Sequence, residues 1–81
     1  MRIIINAFSS VKSICGFTEK EFDLEEKSSI KDALGILLKD CNNLTILKSK
    51  LLFAVNEEYC DENKILHDGD QLAIFPPVSG G

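Results

Sequence analysis

Eighty-one residues, 44% of them hydrophobic and 27% charged, describe one small soluble domain, too short for a cofactor-binding fold or a deep catalytic cleft of its own. A net charge of −4 argues against a nucleic-acid partner, because phosphate binding needs clustered Lys and Arg, and suits docking on basic enzymes instead. The apolar run Ile3-Ile4-Ile5 breaks at Asn6, too early for a secretory leader, and nothing approaches the roughly 18 apolar residues of a membrane span; a cytoplasmic protein with no membrane contact is expected.

Ile3-Ile4-Ile5 reads as a buried strand ending near Asn6-Ala7-Phe8. Ser9 and Ser10 are candidate caps for a short helical turn through Val11, Lys12 and Ile14, which Gly16 would end. Thr18 to Leu24 alternates weakly, with Phe22 and Leu24 on one face, and suits a second strand in a hairpin with the first. Then comes the clearest periodicity. Ile30, Ala33, Leu34, Leu37, Leu38 and Cys41 form one apolar stripe at helical spacing, with Ser29 as N-cap and Asp32 completing a capping box. Gly35 inside that helix suggests a close neighbour, and Asn42-Asn43 a stop. Leu44 to Lys50 has no assignable pattern.

Leu51-Leu52-Phe53-Ala54-Val55 is a central strand turned by Asn56-Glu57-Glu58, and Tyr59-Cys60 a brief edge strand. His67 precedes the turn signature Asp68-Gly69-Asp70, which places it on the surface and leads into Gln71-Leu72-Ala73-Ile74-Phe75. Pro76-Pro77 ends that strand, since proline cannot donate to a ladder. The order is strand, strand, helix, strand, strand, with one long helix to cover one face of a mixed sheet and the other face left for solvent or a partner. A hairpin, a crossing helix and a last strand paired with the first make an α+β fold, the β-grasp. Residues 1–77 form the domain, and 78–81 a flexible tail.

Cys15, Cys41 and Cys60, with a single histidine, fit neither a disulfide framework nor a metal site. They read as small apolar residues in a reducing compartment, with Cys60 and Lys12 left without a role. The tail carries the chemical interest. Gly80-Gly81 lacks any Cβ, so it can thread a channel too narrow for side chains and present a main-chain carboxylate. That carboxylate is inert at neutral pH until another enzyme activates it, so the chain alone is no catalyst. Pro76 and Pro77 act as a stiff spacer, followed by Val78, Ser79, Gly80 and Gly81 as the threading segment, about 20 Å of reach at roughly 3.3 Å per residue.

The runs Leu51-Leu52-Phe53-Ala54-Val55-Asn56, His67-Asp68-Gly69-Asp70 and Phe75-Pro76-Pro77-Val78-Ser79-Gly80-Gly81 resemble the small-subunit family of molybdopterin synthase, ubiquitin-like sulfur carriers of β-grasp fold. Phe8 to Gly16 resembles the family's stretch after its first strand, with Ser9 and Ser13 departing from the usual Ala and acidic residue. The resemblance implies that an adenylyltransferase of the ubiquitin-activating type uses ATP to make Gly81 an acyl-adenylate. A sulfur donor enzyme then converts it to a thiocarboxylate. The loaded tail enters the large synthase subunit and gives its sulfur to cyclic pyranopterin monophosphate. No cofactor is bound by this chain, and Gly81 bears the reactive group. Phe75, Tyr59 and Phe8 match positions where the family carries exposed apolar residues, and are the expected partner interface. The alternatives are a carrier serving thiazole, cysteine or tRNA thiolation, and a modifier joined through Gly81 to lysines of target proteins.

Overall fold

The computed structural model describes residues 1–77; Val78, Ser79, Gly80 and Gly81, expected above to thread a partner's channel, lie outside the described residues. Strand β1 (Arg2–Ala7), helix α1 (Ser9–Cys15), β2 (Glu19–Asp23), α2 (Ile30–Asp40), a 3₁₀ helix (Asn42–Lys50), β3 (Leu52–Val55), β4 (Glu58–Cys60) and β5 (Gln71–Phe75) follow in chain order. The strands make one five-stranded sheet in the order β2-β1-β5-β3-β4. β1 is antiparallel to β2 and parallel to β5, while β3 is antiparallel to both β5 and β4. This is the ubiquitin-like β-grasp expected from the order of the apolar runs. Among the described residues no helix is long and apolar enough to cross a membrane.

The core lies between the inner face of the sheet and α2. Alternation along each strand sends Ile3, Ile5 and Ala7 of β1 and Leu72 and Ile74 of β5 inward, and the helix answers with Ile30, Ala33, Leu34 and Leu37. Ile3, Ile5, Leu37, Leu72 and Ile74 are all fully buried, and each such side chain stabilises by about 1.5–3 kcal/mol relative to exposure. At the sheet's edge Phe22 joins this core, its ring covered by the Lys20 ammonium at 5.6 Å.

α2 starts as its sequence dictates. The Ser29 hydroxyl accepts from the Asp32 backbone N–H at 3.3 Å, and the Asp32 carboxylate accepts from the Ser29 N–H at 2.9 Å. These bonds hold the Asp32 carboxyl below its ordinary pKa, the Ser29 backbone N–H contributing most and its hydroxyl next. The next two orphan donors find carbonyls in the 61–66 loop: Ile30 N–H donates to Lys64 and Lys31 N–H to Glu62. The loop therefore holds the helix in register over the sheet.

Two expectations need correction. Ser9 and Ser10 do not cap α1. Phe8 is the N-cap, without a side-chain cap bond, because its extended backbone continues β1 and its carbonyl already accepts from Val11 N–H at 3.0 Å. Ser9 is inside the helix and takes a left-handed φ of 51° at that sharp corner. Gly35 has no close neighbour: a Cβ there would meet nothing within 4 Å. α2 stops just ahead of Asn42-Asn43, as expected, ending at Asp40 with Cys41 as C-cap, and the unassigned stretch continues as a nine-residue 3₁₀ helix pinned by the fully buried Leu44. Gly16 likewise ends α1 as expected, in the left-handed conformation with its N–H on the Lys12 carbonyl.

At the end of α1, burial first, then the hydrogen bond and charge of the neighbouring Cys41 thiol, push Cys15 from 9.0 up to about 12. Since the folded state keeps the proton that the unfolded chain loses near pH 9.0, its contribution to stability is intact below that pH and disappears as pH rises towards 12.

Three outcomes are expected. Gly35→Ala raises the free energy of unfolding by about 1 kcal/mol in a urea titration, since an exposed helical site with open space gains only from lost backbone entropy. Asp32→Asn destabilises the chain at neutral pH and flattens the acid limb of its stability curve, because the capping carboxylate stabilises only above its lowered pKa. Native Cys15 reacts with iodoacetamide at pH 8 more slowly than in the unfolded chain, followed by peptide mass mapping, because its raised pKa leaves little thiolate; equal rates would contradict the shift.

Candidate functional site

The face of the sheet away from α2 is open. Leu72 and Ile74 take the inward places on β5, so Gln71, Ala73 and Phe75 point outward. Register then builds a row across the strands: Ala73 lies opposite Asn6 on one side and Ala54 on the other, and Ala54 opposite Tyr59. Two alanines in the middle of larger neighbours leave a shallow groove of about 750 Å³, walled by Phe8, Phe75 and Tyr59.

The three candidate interface residues, widely separated in the sequence, meet here. Phe8 stacks on Phe75 with ring centroids 4.7 Å apart and planes at 15°, and Tyr59 leans on the other side of Phe75 at 5.9 Å. Each such pair is worth about 0.5–1.5 kcal/mol beyond area burial. Phe8 is 42% exposed and Tyr59 74%, while Phe75 is half-buried by the rings on both sides. Phe8 is held in place by its N–H, which donates to the Ile74 carbonyl at 3.3 Å. An exposed aromatic row of this kind favours a partner surface, since its rings are already ordered before binding.

The groove's far end is polar and firmly tied. Asn56 and Glu57 both have left-handed φ, 49° and 72°, the signature of a two-residue hairpin turn between β3 and β4. The Asn56 amide donates to Asp70 at 2.9 Å and its oxygen accepts from the Gln71 N–H at 3.0 Å, so the hairpin is clamped to the start of β5. Nothing in the sequence pattern pointed to this role for Asn56, because its partners lie 14 and 15 residues away.

At the other end β5 runs into Pro76 and Pro77, both half-buried. They share a second groove of about 610 Å³ with Leu47, Leu52, Tyr59 and Phe75. The β1–β2 half of the open face is charged instead: Arg2 lies 3.5 Å from Asp23 and 3.9 Å from Glu21, exposed pairs that stabilise little. The face is therefore divided into an apolar half that leads to the tail and a charged half that does not.

The remaining sequence candidates stay apart from it. His67 is on the surface, as its turn predicted, with Nδ1 3.9 Å from an Asp70 oxygen. Its N–H donates to the same carboxylate at 2.8 Å, and Gly69 makes the bend at a φ of 86°. Cys60 sits half-buried opposite Phe53, and Lys12 is exposed on α1. Among the described residues no three His, Cys, Asp or Glu side chains gather in a way that could hold a metal.

Comparison with known proteins bears on the family and the fold. The model of the ThiS family matches residues 5–81. A molybdopterin synthase sulfur carrier subunit from Chlamydomonas reinhardtii is 31% identical over 83 residues, covering all of both chains. Among solved structures, the Haloferax volcanii small archaeal modifier protein 1 superposes with a TM-score of 0.82 at 21% identity, over 95% of this chain and 98% of its own. A protein–protein complex of subunits 1 and 2 of molybdopterin-converting factor from Helicobacter pylori contains a chain that superposes with a TM-score of 0.71 at 23% identity, over the whole of both. With its family pattern running from within β1 to Gly81, this chain belongs to the ThiS family.

Proposed function

We propose that the chain is the sulfur-carrier subunit of a molybdopterin synthase. The observation that carries this reading is the course of β5: a central strand, flanked by an aromatic row, that leaves the sheet through Pro76-Pro77 towards Gly80-Gly81. The end-to-end match to a relative of that name supports it. So do the sheet's own mechanics, since a strand paired on both sides gives the tail a rigid base.

In this reading an adenylyltransferase of the ubiquitin-activating type joins the Gly81 carboxylate to AMP from ATP, releasing pyrophosphate. A sulfur donor enzyme replaces AMP, leaving a thiocarboxylate. Phe75, Tyr59 and Phe8 seat the globule on the large subunit, while Pro76, Pro77, Val78, Ser79 and Gly80 deliver Gly81 into its active site. The sulfur passes to cyclic pyranopterin monophosphate, and two such transfers supply the dithiolene. Thiocarboxylate sulfur is the nucleophile, activated by the earlier ATP-driven step, and the proton-transferring groups belong to the large subunit. The three unbridged cysteines fit a reducing cytoplasm.

Intact mass decides the chemistry. After incubation with the adenylyltransferase, ATP and a sulfur source, the chain should gain the mass difference of one oxygen exchanged for one sulfur. Lysine-linked adducts instead would make it a modifier, and an unchanged mass would defeat the carrier reading. Deleting Gly81 should abolish sulfur transfer while binding to the large subunit stays within a few-fold. Phe75→Ala should weaken that binding at least about tenfold, the loss typical of a central aromatic anchor, with cooperative unfolding preserved.

A further inference from the structure

The two most exposed large hydrophobic side chains among the described residues are Tyr59, at 74%, and Ile46, at 82%. Tyr59 belongs to the aromatic row. Ile46 belongs to the 3₁₀ helix, and nothing in the core or the groove uses it. Scattered apolar side chains need no explanation, and Ile36 and Ile65, at 39% and 44%, are of that kind. Ile46 differs by its position. The next residue, Leu47, lines the groove at the tail's root together with Leu52, Tyr59, Phe75, Pro76 and Pro77. Across the sheet Leu52, itself 38% exposed, lies directly opposite Phe75. The apolar surface is therefore continuous from the aromatic row, past the root of the tail, to the 3₁₀ helix.

Area and charge both favour a contact there. Three strands about 4.8 Å apart, each advancing about 3.3 Å per residue, give the apolar half of the face roughly 200 Å². A stable partner covers about 800 Å² on each side, so a complex built on this face must spread beyond it. The 3₁₀ helix is the apolar surface next in line. It also reverses the sign of the chain: residues 42–50 carry Lys48 and Lys50 and no acidic residue, in a protein of net charge −4. Neither lysine is ion-paired among the described residues.

We propose that the 3₁₀ helix is a second contact for the large subunit that receives the tail, with Ile46 seated in an apolar hollow on that subunit and Lys48 and Lys50 facing carboxylates on the hollow's rim. The inference rests on the sulfur-carrier reading and adds to the aromatic row a separate anchor beyond the groove at Pro76 and Pro77. Two anchors would fix the orientation of the globule on its partner, which one alone leaves free to pivot.

The test is calorimetric titration of the full chain into the large subunit at low and high salt, beside adenylation assays with the activating enzyme. Ile46→Ser should weaken binding to the large subunit about tenfold or more, with an unchanged melting curve. The double variant Lys48→Glu/Lys50→Glu should weaken it most at low salt, and Ile65→Ser should leave it alone. If Phe75→Ala weakens binding while Ile46→Ser and the lysine variant stay within twofold of the parent, the second anchor is wrong and the docking face stands. If Phe75→Ala also has no effect, the docking reading falls with it. Loss of adenylation with unchanged binding to the large subunit would assign Ile46 to the activating enzyme and overturn the proposal.

Discussion

The parallel pairing of β1 with β5 is the constraint on which the rest depends. It places the strand nearest the tail in the middle of the sheet, with backbone partners on both sides. An edge strand could fray under the pull of a tail drawn into another protein; a central one moves only with the whole sheet. Parallel neighbours also require a long crossing connection, and α2 is its largest part. Helix and core thus follow from where the last strand lies. The same placement sets Phe75 between Phe8, which follows β1, and Tyr59 of β4.

Much of this was legible in the sequence, and the reasons are specific. α2 announced itself because its cap and its stripe agree with each other, two local signals for one element. β5 was readable further, down to the side on which Phe75 falls, since Leu72 and Ile74 fix the phase of a period-two pattern. The aromatic row was anticipated as three separate residues from a family resemblance; their contact was not derivable, because register across three strands is a long-range property. The tail residues that carry the proposed chemistry lie beyond the described residues.

What the sequence hid has physical causes. The 3₁₀ helix has three residues per turn and mixes polar with apolar positions, so neither helical nor strand periodicity finds it. Ser9 and Ser10 looked like caps because residue type was the only information. The backbone at that corner is set instead by Phe8, which β5 holds through a hydrogen bond. Gly35 implied crowding that does not exist, and Asn56 looked like turn punctuation while serving as a clamp. In each case a local rule was overruled by a partner far along the chain, or by the lack of one.

The sheet's two borders have a consequence for crowded solution. Every open sheet offers unpaired backbone groups along its edges, where a foreign strand can add itself and start aggregation. Here one border, β2, reads Glu-Lys-Glu-Phe-Asp, so an incoming strand would meet charge at four of five positions. The other, β4, is three residues long and too short to template much. Sticky backbone is thereby withdrawn from both margins while an apolar face stays exposed. An exposed apolar face can then bind and release a partner reversibly, because side-chain contacts on a face release more readily than a zipped ladder of main-chain bonds.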